Sequence, residues 1–485
     1  MSFAQRLQEV RTGFERPFWV ANTTEIFERL SYYAVFASLV RYLIETLHFP
    51  TEKATALGGF FGAAVWMMAI FGGALADKIG FRRALSLAYF ILSCSYFLVG
   101  SITAPWLAPV RDRMPLGLMV GIILFLPALG VSLVKPSVVG TTARASKENV
   151  RSIGYSIYYT MVNIGNTMGP FLAGWIHSHM RVENVFRMAA VSVFLMLIAV
   201  LIFFKEPRRE SSAPISSLST IGRNFLTVLG RFRLVMPLLV LVFLVFLTNA
   251  AVLILHLISL APNLPWLSIP WWIWLPFIAL FLVGMSRFMW FLVIFSGYWV
   301  VFWQQYLILP PFVHNFVDAN ANTEWILITD PIIVITCTVA LNAMTRRMRS
   351  FTAIIWGSLI TSISWAALAL WHSVPGAYIA IAILAVGEIM QSPRYYEYIS
   401  RLAPTGQQGT YMGFAFLPLG IGSLIGGDFG GYLIHRFGEV EHRPAMMWWV
   451  IIGVGVVTTI LLWVYDHFFL PKPVAEIAAT EAGAG

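Results

Sequence analysis

An all-α polytopic membrane protein is the fold class this sequence predicts, on three observations. Apolar runs of about twenty residues, the length that crosses a bilayer as a helix, recur along almost the whole chain. Hydrophobic residues make up 58% of the chain and charged residues only 11%, and the mean hydropathy is +0.76, so lipid is its main solvent. Between the apolar runs no stretch is long enough to build a sizeable soluble core, which places function inside the membrane part.

Residues 2–16 come first, with Phe3, Leu7, Val10 and Phe14 at helical spacing among basic residues and no small-residue cleavage site after a short apolar core. They read as an interfacial helix, residues 1–20. Six spans follow near 22–47, 54–76, 84–104, 115–142, 152–177 and 185–204, forming a first half over 21–210. A basic, Ser-rich connection opens the linker 211–286, which carries two further apolar runs near 234–260 and 266–285, split by the turn-forming Ala261-Pro-Asn-Leu-Pro265. The second half, 287–470, offers spans near 288–313, 325–344, 351–372, 375–401, 409–434 and 445–468, and the small-residue tail 471–485 is expected to be disordered. Fourteen spans result.

Basic residues set the orientation. Lys78, Arg82 and Arg83, then Arg144, Lys147 and Arg151, then Lys205, Arg208 and Arg209, then Arg346, Arg347 and Arg349 fall in alternate loops, so those loops and both termini are expected on the cytoplasmic side of the inner membrane. This topology accounts for most of the net charge of +9 and leaves no soluble domain for nucleic-acid binding. Cys94 and Cys337 both fall inside expected spans and read as core residues, with no disulfide framework.

The most informative span is the first. Glu25, Glu28 and Arg29 lie near its start, and at roughly 100° per residue they share a stripe with Tyr32 and Phe36. Ionisable groups inside a span mark function by default, because lipid tolerates them only when paired, protonated or turned to a water-filled cavity. A carboxylate neutralised either by a proton or by a nearby cation can exchange one for the other, which makes Glu25 and Glu28 candidate proton carriers with Arg29 and Lys135 as counter-charges. Mutual neutralisation of Glu28 and Arg29, or snorkelling to the interface, is the competing structural reading. Glu388 sits mid-span in the other half and completes a set of opposite charges across an expected central cavity.

Gly72-Gly-Ala-Leu-Ala-Asp77-Lys78-Ile-Gly80-Phe-Arg82-Arg83, between the second and third spans, resembles the signature loop of the major facilitator superfamily. Glycines let two helices approach closely, and Asp77 with Arg82 and Arg83 can form a charged latch at the cytoplasmic face. Within that superfamily, Glu25-Ile-Phe-Glu28-Arg29-Leu-Ser-Tyr32-Tyr33, Lys135-Pro136, Tyr158-Tyr159-Thr-Met-Val-Asn163-Ile-Gly165 and Gly387-Glu388-Ile-Met-Gln-Ser392-Pro393 are similar, in order and on the expected spans, to motifs of the proton-coupled oligopeptide transporter family. The resemblance implies a major facilitator fold of two six-helix bundles plus two extra central helices, and proton-driven symport of di- and tripeptides or similar amine-bearing solutes by alternating access. It also implies that Glu388 and Asn163 meet the substrate's amino group, that Tyr32, Tyr33 and Tyr159 line the pocket, and that the protein needs no cofactor beyond the proton gradient. Partners are then protons, a small-molecule substrate and the bilayer, with the protein acting as a monomer because the site lies between halves of one chain.

Departures from that family pattern concern the pocket. Phe36 stands where the family usually carries a carboxylate-binding arginine, Trp303, followed by Gln304, where it has a glutamate, and Trp66 in place of a pocket tyrosine. The pocket is expected to be more apolar. Asp330 occupies a usual asparagine position and could bind an ammonium or carry a proton; Arg394 could hold an anion or pair with Glu397 one turn away, the pair being favoured. An importer or exporter of an apolar or cationic non-peptide compound is the second reading. A membrane-embedded enzyme has little support: the histidines are scattered, with His177 and His179 near an outer helix end, and no zinc-binding His-Glu-x-x-His or paired aspartates on facing spans are evident. A non-transporting receptor on the same fold would need no proton site.

Overall fold

A computed structural model describes residues 13–207, 226, 228–230, 232–257, 270–345, 347–403 and 408–469. The main helices are α1 (Arg16–Glu45), α2 (Thr51–Ile79), α3 (Phe81–Val99), α4 (Leu116–Arg144), α5 (Arg151–His179) and α6 (Glu183–Phe203). Then come α7 (Phe232–Leu257), α8 (Trp271–Gly284), α9 (Arg287–Phe302), α10 (Thr329–Thr345), α11 (Ser350–Ser364), α12 (Val374–Leu402), α13 (Leu417–Leu433) and α14 (Ala445–Phe468). Each expected span is matched by helix, most ends agreeing within a few residues. Nine helical stretches among the described residues are long and apolar enough to cross a membrane. The fourteen-span expectation adds α1, α2, α5, α7 and α8 to these.

Departures from the expected elements fall at the N-terminal end and within second-half spans, those near 325–344 and 351–372 being interrupted at Ile328 and Trp365. Residues 16–20 belong to α1 and not to a separate interfacial helix, because Pro17 at the start of a helix needs no amide partner and its fixed φ favours the first turn. Residues 1–12 lie outside the described residues, as do the turn 261–265 and the tail. The ninth span is not one helix: α9 stops at Phe302, a short helix Gln304–Leu307 follows, and Leu309–Phe316 resumes beyond Ile308, where Pro310 and Pro311 lack the amides that would continue the ladder. The thirteenth span is likewise divided, Gln408–Phe414 being followed by α13, which runs into a π-helical turn, Ile434–Val440.

Packing follows the two halves of the sequence. In the first, α1 lies against α5 and α6, α4 against α2 and α3, and α3 against α6; in the second, α9 meets α13 and α14, while α12 packs on α10 and α11. The halves meet chiefly through α2 and α13. There the backbones nearly touch: a Cβ built on Gly427 would lie 2.5 Å from the Thr55 carbonyl oxygen, and one on Gly59 2.8 Å from the Gly427 Cα. Only residues without side chains allow helices this close, as in other small-residue helix contacts in membranes. Gly427→Leu is therefore expected to cost about 1–3 kcal/mol by overpacking and to force α2 and α13 apart, seen as a lower melting temperature in detergent.

Helix α3 begins directly after Gly80, whose φ of 88° lies in the left-handed region. Its first two amides, of Phe81 and Arg82, donate to the two carboxylate oxygens of Glu206 at 2.8 Å each, and the Arg82 guanidinium donates to the Leu201 carbonyl at 2.7 Å. A carboxylate at the positive end of a helix satisfies orphan amides and the macrodipole together, so Glu206 ties the end of α6 to the start of α3.

Candidate functional site

On α1, Glu25, Glu28 and Arg29 are all buried, at 0%, 0% and 1% exposure. Their helical spacing turns all three inward. Arg29 Nε lies 2.5 Å from Glu28 Oε2 and 3.5 Å from Glu25 Oε1, and the Tyr158 hydroxyl of α5 donates to the same Glu25 oxygen at 3.5 Å. Two carboxylates thus share one guanidinium, which is also 5.1 Å from the centroid of the Tyr32 ring. Glu25 Oε2, Glu28 Oε1 and Arg29 Nη2 are buried without a hydrogen-bond partner among the described residues. An interfacial, snorkelling arrangement is ruled out by this burial.

Lys135 of α4 was expected to pair with a first-helix carboxylate. Its ammonium instead lies over aromatic faces, 4.2 Å from the Trp66 centroid and 5.1 Å from that of Phe416, while remaining close enough to act electrostatically on Glu25. Ring quadrupoles take the place of the anion in this arrangement. Trp66 in turn stacks on Phe416 at 5.7 Å and approaches Trp303 at 6.3 Å.

An aromatic wall crosses between the halves. Phe36 of α1 stacks on Tyr306 at 4.9 Å and meets Trp303 edge-on at 5.5 Å, and Tyr33 lies 6.4 Å from Tyr306 and 5.1 Å from Tyr32. Beyond this wall, Asp330 of α10 and Glu388 of α12 are within hydrogen-bonding range of one another, with the Gln305 side chain beside Asp330. Tyr159 of α5 feels the charge of both carboxyls and is 47% exposed.

Several expected pocket residues are engaged elsewhere. Gln304 donates its amide to the Val300 and Gly426 carbonyls at 2.7 and 3.2 Å, fastening the ninth span to α13, so it packs between helices while its neighbour Gln305 lies beside Asp330. Asn163 donates to the Tyr159 carbonyl one turn back, at 2.9 Å. Of the latch residues, Asp77 lies on α2 with its side chain outside the described set, Arg83 is exposed, and Arg82 engages α6 as above. Arg394 makes the favoured pair with Glu397 at 3.1 Å and donates to the Thr345 carbonyl at 3.4 Å, all within the second half.

At the opposite face lies a cluster that sequence reasoning missed. Glu324, fully buried, accepts from Arg41 of α1 at 3.3 Å and contacts His177 of α5 at 3.1 Å. Glu45 closes the ring, 2.9 Å from Arg41 and 3.6 Å from His177. First-half and second-half residues are thus joined by charge at this end. Tyr306, Phe416 and Gln305 were also missed as pocket residues, for they bear no charge and sit in apolar runs that read as core.

A membrane-spanning helical bundle with buried, opposed charges where its two halves meet is the class of protein that fold and site define. The family model of the major facilitator superfamily matches residues 23–415, and the chain belongs to that superfamily. A di-/tripeptide transporter of Lactococcus lactis is 28% identical over 221 residues, 42% of this chain and 41% of that protein, so the chain spans about two fifths of the length of the first curated relatives it matches. The multidrug resistance protein MdtH of an Enterobacter species is 20% identical over 82% of this chain and 81% of its own. Among solved structures, a POT family transporter in complex with 5-aminolevulinic acid aligns with a TM-score of 0.70 at 18% identity, covering 93% of this chain and 96% of that one. An auto-inhibited POT family peptide transporter aligns at 0.71 and 16%, covering 94% and 98%. At such identities these structures establish the shared fold.

Proposed function

We propose that this chain is a proton-coupled symporter of small amine-bearing solutes, with di- and tripeptides or peptide-like compounds as the leading class, and that it is an atypical member of the proton-coupled oligopeptide transporter family. The observation that carries this reading is the buried Glu25–Glu28–Arg29 cluster with Lys135 nearby but held by aromatic rings. Two carboxylates and a cation that is not committed to either can trade a proton for an ion pair, and that exchange can bias one bundle arrangement over another. The reading takes residues 21–210 and 287–470 as the two bundles, 211–286 as a linker carrying two extra spans, and the basic face as cytoplasmic in an inner membrane, with a monomer as the working unit and no cofactor. Glu25, Glu28, Arg29 and Lys135 couple the proton; Tyr32, Tyr33, Phe36, Trp66, Tyr159, Asn163, Trp303, Asp330 and Glu388 shape the pocket; Asp77, Arg82, Arg83 and Arg394 act in gating.

A second reading, transport of an apolar or cationic non-peptide compound, is favoured by one specific observation: Phe36, Trp303 and Tyr306 form an aromatic wall where a peptide carboxylate would need a cation. Proteoliposomes loaded with a pH-sensitive dye separate the two. Proton influx on adding a dipeptide, lost in Glu28→Gln, is expected for peptide symport; influx only with organic cations transfers the substrate class to the second reading, and an unchanged response in Glu28→Gln overturns the coupling role of that residue.

A further inference from the structure

At the end of the bundle away from the basic loops, a groove of about 360 Å³ opens on the surface between three helices. It is lined by Lys53, Leu57 and Phe60 of α2, Gly117 in the first turn of α4, and Leu424 and Asp428 of α13. None of these six is buried, and Lys53 and Asp428 are both exposed. Lys53, Leu57 and Phe60 recur at i, i+4 and i+7, a stripe of α2 distinct from the Gly59 face that meets α13.

Asp428 is the sole charged residue of α13, and its neighbours Leu424 and Ile425 are 39% and 49% exposed, so it stands on a surface that faces lipid. A carboxylate there is costly unless a partner meets it. Lys53, in the first turn of α2, reaches the interface on its long stem, a freedom that the short aspartate lacks. The packing of α2 on α13 sets both at nearly one depth. A Cβ on Gly431 would lie 2.9 Å from the Glu52 Cα and one on Gly427 2.5 Å from the Thr55 carbonyl oxygen, and Lys53 and Asp428 fall between these two contacts. Neither side chain makes an ion pair or a hydrogen bond among the described residues, although both line the same groove.

We propose that this groove seats one phospholipid of the adjoining leaflet whose headgroup carries both a phosphate and a primary ammonium, the phosphate meeting Lys53, the ammonium meeting Asp428, and an acyl chain lying along Leu57, Phe60 and Leu424. A carboxylate is completed by N–H donors, which a quaternary ammonium does not have, and a purely anionic headgroup would set like charge against Asp428. Lys53 belongs to the first half of the chain and Asp428 to the second. A headgroup that bridges them is held only while α2 and α13 stand together at this end, so the lipid favours the arrangement in which this face is shut. The inference rests on the fold and is independent of the symport reading.

Native mass spectrometry of the purified full chain with short-chain lipids tests the seat. Phosphatidylethanolamine is expected to be retained at least fivefold over phosphatidylcholine and phosphatidylglycerol, and at least fivefold less by Asp428→Asn and by Lys53→Gln. Equal retention of phosphatidylcholine by the wild type overturns the ammonium contact, equal retention of phosphatidylglycerol overturns the zwitterionic seat, and unchanged retention in either variant overturns the two-point contact. The comparison of lipids on the wild type does not depend on how well a variant folds. Spin labels at Asp112→Cys and Asp318→Cys, with Cys94 and Cys337 replaced by alanine, then read the conformational bias in nanodiscs of phosphatidylglycerol mixed with either of the other two lipids. The ratio of short to long distances is expected to be at least threefold higher with phosphatidylethanolamine, a difference absent in Asp428→Asn; equal populations in both mixtures overturn the bias. Neither measurement needs a gradient or a transported solute, so failure here leaves the symport reading untouched.

Discussion

Replacing Arg29 with methionine is expected to be among the most damaging single changes in this chain. The guanidinium is shared by Glu28 and Glu25, all three are buried, and removing it leaves two carboxylates with no adjacent cation. Breaking a buried ion pair in this way costs about 3–5 kcal/mol, much of it the desolvation of the charges left behind. Lys135, over Trp66, pairs with neither carboxylate in this arrangement. A large fall in melting temperature in detergent, with loss of proton-linked transport in liposomes, is the expected result. An unchanged melting temperature would mean that the cluster contributes little to the folded state. Glu28→Gln is milder by design, since Glu25 still faces Arg29 and only the titratable group is removed.

Glu324→Gln carries the second large effect, and it falls on conformation. Glu324 is the buried anion at which Arg41 of α1 and His177 of α5 meet the second half of the chain. Removing its charge weakens the closed arrangement of that face and leaves the open arrangement, where these groups reach water, almost untouched. A loss of about 3 kcal/mol from one state alone shifts a two-state equilibrium by more than about a hundredfold. Spin labels at Asp112→Cys and Asp318→Cys, with Cys94 and Cys337 replaced by alanine, are expected to show a longer distance in the Glu324→Gln protein. Identical distance distributions would show that the α2–α13 contact closes that face unaided.

What the sequence revealed and what it concealed follow one physical rule. Spans were legible because hydrocarbon thickness demands about twenty apolar residues, and lipid admits few exceptions. The Glu25, Glu28 and Arg29 cluster was legible for the same reason: three charges within one span are conspicuous, and a fixed helical angle says which face they share. Arg394 and Glu397 were legible as neighbours on one helix. Contacts between distant segments were not. Glu324 and Arg41 are 283 positions apart, and nothing in either local pattern refers to the other. Asp330 and Glu388 each stood out, but that α10 and α12 would bring them into contact depended on helix packing. Lys135 was expected beside a carboxylate because charge pairing is the usual solution; the alternative, a cation on aromatic faces, depended on Trp66 arriving from α2 and Phe416 from the joint ahead of α13. The breaks in the ninth and thirteenth spans were hidden because apolar residues fill the joints as well as the helices.

Those breaks have a mechanical consequence. The joint at Trp303 and the joint ahead of α13 are fastened to each other, since the Trp303 indole N–H donates to the Leu419 carbonyl at 3.0 Å, just inside the start of α13. The first half has no counterpart among its described helices, each of which runs unbroken across its span. The protein is thus built as a stiff frame facing an articulated partner. Two hinges tied by one hydrogen bond bend together, so a small movement of one side chain in the pocket is geared to two helices at once.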